Sequence, residues 1–269
     1  MFSNSNIVRN GLISCGFALL SVATCAASTI TIGAFSDDQE VETLNGGANP
    51  KQASSNGSSP NDIGAQREFI VRRLGAGTGN LSMDSNLSNE GWLNLALPNT
   101  NSAQALVTWD GDGPGIDTGI FTPDIPAATD AAKRGQPDTF LLGDIDLTDG
   151  GSNSRLSFWA SSDQPGTQVT FRVYTGPGVY ATATFNLAAS GSTLQYYFLP
   201  FNLFTATGNT VPNIIEHANA ITLQIFAPTA ATDVGIDFIG ANVPEPGTFV
   251  MFSGMLAGLA LWSRRRRAN

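Results

Sequence analysis

The sequence predicts an all-β fold, a β-sandwich, from three observations. Apolar and polar residues alternate with a period of two over many short segments, as they do in strands that bury one face. Turns rich in Gly, Asn and Ser separate these segments. Only Ala127–Arg134 and Val211–His217 have a helical pattern, and both are short. Residues 28–242 are long enough for one large β domain or two small ones.

Nine segments fit the strand pattern, and they become clearer toward the second half of the chain. In Val234–Ile239 the alternation assigns Val234, Ile236 and Phe238 to one face and Asp237 to the other. Residues 45–62 and 110–137 are predicted to be loops because they are rich in Gly, Asn, Ser and Pro. The nine predicted strands are Arg67–Arg73, Trp92–Leu97, Gln104–Trp109, Ser154–Ala160, Gln168–Tyr174, Tyr180–Leu187, Thr193–Leu199, Ile221–Phe226 and Val234–Ile239.

The order of the last strands narrows the type of sandwich. A strand ending in Phe198-Leu199-Pro200-Phe201 is followed by a loop and then by two further alternating strands. Over Ser154–Ala241 this order resembles the closing half of a galactose-binding-like jelly roll, the sandwich of many carbohydrate-binding modules. The resemblance implies a jelly-roll-like fold. It also implies that Asp237, in the final strand, helps to hold a structural Ca²⁺ ion, and the alternative is an exposed strand residue.

The C-terminal segment 243–269 has three parts that do not belong to a sandwich. Val243-Pro244-Glu245-Pro246 is stiff and extended, because proline is excluded from helix interiors and restricts the residue before it. An uncharged apolar stretch, 248–262, follows and predicts a short transmembrane helix. Four arginines, Arg264, Arg265, Arg266 and Arg267, then act as a membrane stop on the cytoplasmic side.

This ordered combination resembles the PEP-CTERM sorting signal of Gram-negative bacteria. The resemblance implies that Val243, Pro244, Glu245 and Pro246 form the sorting motif and that a membrane-embedded exosortase is a partner. It also implies transient anchoring in the membrane, followed by display at the cell surface or release, in organisms that make exopolysaccharide and biofilms. The alternative is an ordinary C-terminal anchor helix after a proline-rich linker.

The N-terminus predicts export as well. Arg9 precedes an apolar run that ends in small residues, so residues 1–27 have the features of a secretory signal peptide. Both cysteines, Cys15 and Cys25, lie within it. Cleavage at Ala26 or Ala27 would leave a mature body without disulfides, thiolate catalysis or cysteine-based metal sites.

The body between the two termini is strongly acidic. With Arg9 and the arginine cluster set aside, residues 28–246 contain eight basic and 22 acidic residues, with Glu245 of the sorting motif included, which gives a net charge of −14. Such a surface repels nucleic acid and keeps the protein soluble, and its carboxylates are ligands that Ca²⁺ prefers. Asp110, Asp112 and Asp117 lie on one Gly-rich loop, which predicts a second candidate calcium site. The alternative is a solvated turn.

The remaining candidates concern ligands and catalysis. Trp109 enters the acidic loop and is the predicted ligand-facing aromatic, although large aromatics in sandwiches are more often buried. A catalytic triad would depend on His217, the single histidine, and Gly75–Gly79 lacks the spacing of a nucleotide-binding loop. We therefore expect a non-enzymatic surface or matrix protein with a structural or adhesive role. The alternatives are a carbohydrate-binding module for exopolysaccharide and, less well supported, a matrix hydrolase.

Overall fold

A computed structural model describes residues 29–43, 52–74, 79–86, 91–97, 102–111 and 140–242. The predicted signal peptide, the sorting motif, the apolar stretch 248–262, the arginine cluster and the predicted helix Ala127–Arg134 lie outside these residues. Within the described part of the chain, no helix is long and apolar enough to span a membrane.

The described residues form 14 strands and one short α-helix, α1 (Val211–Glu216). Short 3-10 turns occur at Ile63–Ala65 and Phe201–Leu203. The strands are β1 (Ile30–Gly33), β2 (Gln39–Thr43), β3 (Gln52–Ser58), β4 (Gln66–Leu74), β5 (Leu81–Ser85), β6 (Leu93–Ala96), β7 (Ser102–Trp109), β8 (Arg155–Ser162), β9 (Gln168–Gly176), β10 (Val179–Asn186), β11 (Gln195–Pro200), β12 (Thr205–Thr207), β13 (Ala220–Ala227) and β14 (Asp233–Asn242).

The strands form two antiparallel sheets of seven strands each. The front sheet has the order β11-β8-β14-β6-β5-β2, and β1 pairs with the second half of β14. The back sheet has the order β12-β10-β9-β13-β7-β4-β3. The prediction of an all-β sandwich is confirmed, and all nine predicted strands are present with boundaries shifted by a few residues at most.

The core lies between the sheets and is filled by alternate residues of each strand. In β9, Val169, Phe171 and Val173 point inward and are fully buried, as the alternation predicts. Phe158 of the front sheet meets Phe171 of the back sheet with ring centroids 5.2 Å apart. Contacts of this kind hold the two sheets together, since burial of large apolar side chains is the main favourable term in folding.

A β-bulge in β14 overturns part of the predicted alternation. Asp237 pairs with Trp159, but the next paired residue is Ile239, so the register shifts at Phe238. Ile236 and Ile239 are both fully buried, whereas Asp237 and Phe238 are partly exposed between them. The prediction that Phe238 shares a face with Val234 and Ile236 is wrong, because the extra residue of a bulge breaks the period of two.

The predicted loop 45–62 also needs correction, and several strands were missed. Residues 52–58 lie in the predicted loop 45–62, yet they form β3. Every residue of β3 pairs with a residue of β4. The strands β1, β2, β5 and β12 were not predicted either. Among the described residues, β1, β2 and β12 each pair with one neighbour, and β5 is a five-residue strand between β6 and β2. The strand structure of such short segments comes from pairing with a neighbour more than from their own apolar pattern.

One end of the core is polar. Arg67 of β4 points inward, and its side chain is fully buried together with that of Asp62, 3.0 Å away. The guanidinium lies over the rings of Phe35 and Phe69, 5.4 Å and 5.2 Å from their centroids. Its donors reach Gln39 Oε1 (3.0 Å), Ser59 Oγ (3.0 Å), Asp62 Oδ2 (3.0 Å), the carbonyl of Asp37 (2.7 Å) and Ser85 Oγ (2.6 Å).

These five hydrogen bonds match the five N–H donors of a guanidinium. Asp62 accepts two further bonds, from the backbone N–H of Ala34 at 2.8 Å and from Nε1 of Trp109 at 3.0 Å. A buried ion pair stabilises a fold only when its remaining polar atoms are also satisfied, and here they are. This group of residues around Arg67 and Asp62, the Arg67 cluster, ties the chain between β1 and β2 to both sheets.

Candidate functional site

Trp109 does not face a ligand. Its side chain is fully buried, its indole N–H donates to Asp62, and its ring packs 6.2 Å from that of Phe35. The expectation of a ligand-facing tryptophan at this position is therefore wrong. Trp109 is the last residue of β7, and the alternation along that strand turns it into the core beside the Arg67 cluster.

The acidic loop after Trp109 is described only at its beginning. Asp110 is 4% exposed, and its backbone carbonyl accepts a hydrogen bond of 2.7 Å from the N–H of Leu141. Asp112 and Asp117 lie outside the described residues. Among the residues that the structure describes, no group of three or more His, Cys, Asp or Glu side chains is placed to hold a metal ion. Calcium binding by Asp237 or by the Asp110 loop stays a prediction.

Exposed aromatic side chains occur instead on the outer face of the front sheet. Trp159 of β8 is 42% exposed, and Tyr196 and Phe198 of β11 are 44% and 52% exposed. Residues 156, 158 and 160 of β8 are fully buried, so the alternation turns Trp159 outward. Large apolar side chains exposed together on a folded domain typically mark an interaction surface.

The sheet register brings these side chains together. Tyr196 lies directly opposite Trp159, and Trp159 lies opposite Asp237 on its other side. The rings of Trp159 and Tyr196 have centroids 5.2 Å apart and are tilted by 56°. Because of this tilt they form a twisted surface and not a single flat platform.

Polar groups border the aromatic side chains. The Arg155 guanidinium lies over the Phe198 ring at 5.1 Å, and its Nε donates to Asn242 Oδ1 at 3.4 Å. Asn242 Nδ2 donates in turn to Ser157 Oγ at 2.5 Å. We call the surface formed by Arg155, Trp159, Tyr196, Phe198, Asp237 and Phe238 the aromatic face.

Asp237 is the carboxylate of the aromatic face. Burial raises the pKa of Asp237, and a hydrogen bond from the backbone N–H of Phe238 opposes that change in part. The bulge in β14 places Asp237 and Phe238 side by side at the surface. A partly desolvated carboxylate beside an exposed indole can accept hydrogen bonds from a ligand that stacks on the ring.

A second polar surface lies at the end of α1. Asp144 and His217 are joined there, with Oδ1 and Nδ1 3.0 Å apart, and they line an open pocket of about 540 Å³ with Glu216. Asp146 accepts hydrogen bonds from its own loop, namely from Thr148 N (2.8 Å), Thr148 Oγ1 (2.6 Å) and Gly150 N (2.8 Å). Partial burial opposes ionisation, but these bonds outweigh it and lower the pKa of Asp146. Asp146 therefore stabilises the turn of its own loop.

The outer face of the back sheet also carries aromatic residues, but one of them is inaccessible. Tyr174 is fully buried, with the Tyr180 and Phe140 rings 5.5 Å and 6.0 Å away. Burial raises the pKa of Tyr174 to about 12. Arg172 donates across the sheet to Gln224 Oε1 at 3.0 Å. These side chains therefore contact one another. Among the described residues, the most exposed aromatic side chains belong to the front sheet.

Sequence reasoning did not identify the aromatic face. Tyr196 and Phe198 alternate with Tyr197 and Leu199, so both faces of β11 are apolar and the pattern cannot show which one is buried. In the structure Leu199 is buried and Tyr196 is exposed. A strand with aromatic residues on both faces was the available signal that aromatic side chains are exposed on one of them.

Comparison with solved structures gives remote similarity in fold. One match is the family 30 carbohydrate-binding module of the cellulosomal cellulase Cel9D-Cel44B of Clostridium thermocellum, with 14% identity over 81% of this chain and 99% of that chain, and a TM-score of 0.37. Another is the family 11 module of cellulase Lic26A-Cel5E of the same organism, with 10% identity, coverage of 75% and 93%, and a TM-score of 0.30.

A glycoside hydrolase described from Bacteroides thetaiotaomicron is similar to the same degree, with 10% identity, coverage of 78% and 70%, and a TM-score of 0.34. At these values the similarity identifies neither a ligand nor an activity. No curated protein matches the sequence. Residues 242–267, however, match the PEP-CTERM protein-sorting motif, so the chain carries the sorting tag of secreted, exosortase-processed proteins of Gram-negative bacteria.

Proposed function

We propose that this chain is an exported matrix protein whose sandwich binds extracellular polysaccharide through the aromatic face. The observation that carries the proposal is the pair of exposed neighbours Trp159 and Tyr196, with Asp237 beside them. Sugar rings offer apolar C–H surfaces that pack on aromatic faces, and their hydroxyls need polar partners at the edge of the ring. The aromatic face supplies both kinds of group. The proposed role is binding or adhesion without catalysis.

The binding proposal is tested with the secreted protein, purified from an exosortase-bearing host, by native electrophoresis in gels that contain dissolved polysaccharides. We expect at least one polymer to retard the protein. Trp159→Ala should abolish the retardation, because it removes the exposed ring, while its melting temperature stays near that of the parent protein. Leu141→Ala is the matched control, since Leu141 is 64% exposed but is hydrogen-bonded to Asp110, which follows β7 of the back sheet.

Retardation that survives Trp159→Ala would place binding elsewhere on the molecule. If no polymer retards the parent protein, the carbohydrate-binding proposal fails. A structural role in the matrix, which needs no specific sugar contact, would then be the better interpretation.

Processing is a separate proposal that rests on the sorting motif. We expect the exosortase to remove the apolar stretch and the arginine cluster, leaving a C-terminus near Pro246. Mass spectrometry of the surface and extracellular fractions measures this directly. Intact peptides containing Arg264–Arg267 as the main species in those fractions would contradict it. Before processing, a reporter fused after Asn269 should be cytoplasmic, since crossing the bilayer core costs several kcal/mol for each arginine.

A further inference from the structure

The charges of the front sheet are distributed very unequally. Arg155 is the one basic residue in its seven strands, as the structure describes them. Five acidic residues oppose it, and all of them belong to the outward-facing positions of their strands. They are Glu40, Glu42, Asp84, Asp233 and Asp237.

The sheet register fixes how these charges are placed relative to the exposed rings. Asp237 is directly opposite Trp159, and side chains at such positions are about 5 Å apart at their β-carbons. Arg155 is four residues from Trp159 along the same strand, a separation of about 13 Å. Its guanidinium is already engaged with the Phe198 ring and with Asn242.

Screening by salt does not remove the unequal effects of Asp237 and Arg155 on a sugar at Trp159. The screening length is about 8–10 Å at physiological ionic strength. The Asp237 carboxylate is within that distance of a sugar stacked on Trp159, whereas the Arg155 guanidinium lies over Phe198, which pairs with Ser157, two residues from Trp159. A carboxylate on such a sugar would therefore meet repulsion from Asp237, and Arg155, which is farther away and held over the Phe198 ring, would offset only part of it. The net charge of −14 on the body adds to this repulsion at longer range.

An uncharged sugar would instead find an acceptor. A carboxylate accepts hydrogen bonds through both oxygens, and bonds from hydroxyls to a charged acceptor are the stronger ones. The backbone N–H of Phe238 holds the Asp237 side chain at the surface. Hydroxyls at the edge of a sugar that stacks on Trp159 would lie next to it.

We infer that the aromatic face takes uncharged polysaccharide and rejects polymers of uronic acids, with Asp237 accepting hydrogen bonds from the sugar on Trp159. This inference rests on the proposed carbohydrate-binding function and adds the chemical class of its ligand.

The test compares uncharged polymers (hydroxyethylcellulose, β-1,4-galactan and dextran) with uronate polymers (alginate and polygalacturonate) in the same gels. We expect at least one uncharged polymer to retard the secreted protein in a Trp159-dependent way. Affinity for the uronate polymers should be at least about tenfold lower, the factor that 1.4 kcal/mol produces. Asp237→Asn should lower affinity for the uncharged polymer and raise affinity for the uronate polymers. Partial unfolding would lower both, so opposite changes identify a direct role of the charge.

Each other outcome overturns a defined part of the inference. Trp159-dependent binding of uronate polymers with equal or higher affinity refutes the charge selectivity and leaves the proposed function intact. Equal losses for both polymer classes in Asp237→Asn refute the role of Asp237. Absence of retardation by every polymer refutes the proposed function and this inference together.

Discussion

Trp109 and Trp159 are both tryptophans on strands of the sandwich, yet their surroundings are opposite. Trp109 is fully buried and donates its indole N–H to Asp62 within the Arg67 cluster. Trp159 is 42% exposed, and its ring lies beside Tyr196 on the outer face of the front sheet. One contributes to a satisfied polar core, and the other belongs to the exposed aromatic face.

The difference shows that the surroundings of a tryptophan, and not the residue type, decide whether it is buried or exposed. In the Arg67 cluster each charged group has its full set of partners, so removal of one leaves another buried and unsatisfied. On the aromatic face the polar groups are partly solvated, and the rings of Trp159, Tyr196 and Phe198 are exposed to solvent. We therefore expect substitutions in the cluster to change the free energy of unfolding, and substitutions on the aromatic face to change binding.

The largest expected effect is the loss of Asp62. Asp62→Ala should lower the free energy of unfolding by about 3–5 kcal/mol, because Arg67 stays buried without its counter-charge. Urea denaturation followed by circular dichroism measures this change. Glu216→Ala, at an exposed helix terminus, is the control and should lie within about 0.5 kcal/mol of the parent protein. A loss below about 1 kcal/mol for Asp62→Ala would show that the ion pair is dispensable.

The two tryptophans can be compared with a matched pair of substitutions. Trp109→Phe removes the donor to Asp62 and should cost about 1–3 kcal/mol, the penalty of losing a buried hydrogen bond to a charged group. Trp159→Phe removes no buried hydrogen bond and should cost less than about 0.5 kcal/mol. Denaturation midpoints of both variants give the comparison. Equal losses at the two positions would contradict the division between core and surface.

Gly33 tests how tightly the core closes around Trp109. A β-carbon at Gly33 would lie 2.7 Å from Cζ2 of Trp109 and 3.2 Å from Cζ of Phe35, both shorter than normal contacts. Gly33→Ala should therefore lower the free energy of unfolding by about 1–3 kcal/mol through overpacking. The control is Gly176→Ala, since a β-carbon there meets nothing within 4 Å. If both substitutions have the same effect, packing against Trp109 is not the cause.

The smallest effect concerns the ionisation of Asp237. Burial raises its pKa in the folded state, so the folded chain keeps that proton to a higher pH than the unfolded chain does. Ionisation of Asp237 then reduces stability as the pH rises from the unfolded value of about 3.9 through the folded value. Asp237→Asn should thus be as stable as the parent protein or more stable at pH 7, by up to about 0.5 kcal/mol. This advantage should disappear near pH 3, and thermal melts of both proteins at the two pH values measure it. An advantage that is larger at pH 3 would contradict the direction of the pKa shift.

Particular strands show where sequence reasoning succeeded and where it failed. In β9 the alternation of Val169, Phe171 and Val173 with polar residues gave the buried face correctly, because one side of the strand packs on the core. In β14 the same reasoning assigned Phe238 to the face of Val234 and Ile236, and the bulge made that assignment wrong. A bulge depends on how a strand fits its two neighbours, which the pattern of one segment does not contain.

The sequence alone determined the fold class, the body without cysteine, the net charge and the sorting motif, since each depends on composition or on residues adjacent in the chain. Tertiary structure decided which aromatic residues are exposed. It turned Trp109 inward to Asp62, and it set Trp159 between Tyr196 and Asp237 on strands that are distant in sequence. The physical reason is the register of the sheet, because cross-strand neighbours are fixed by pairing between segments and one residue of slip would reverse every face.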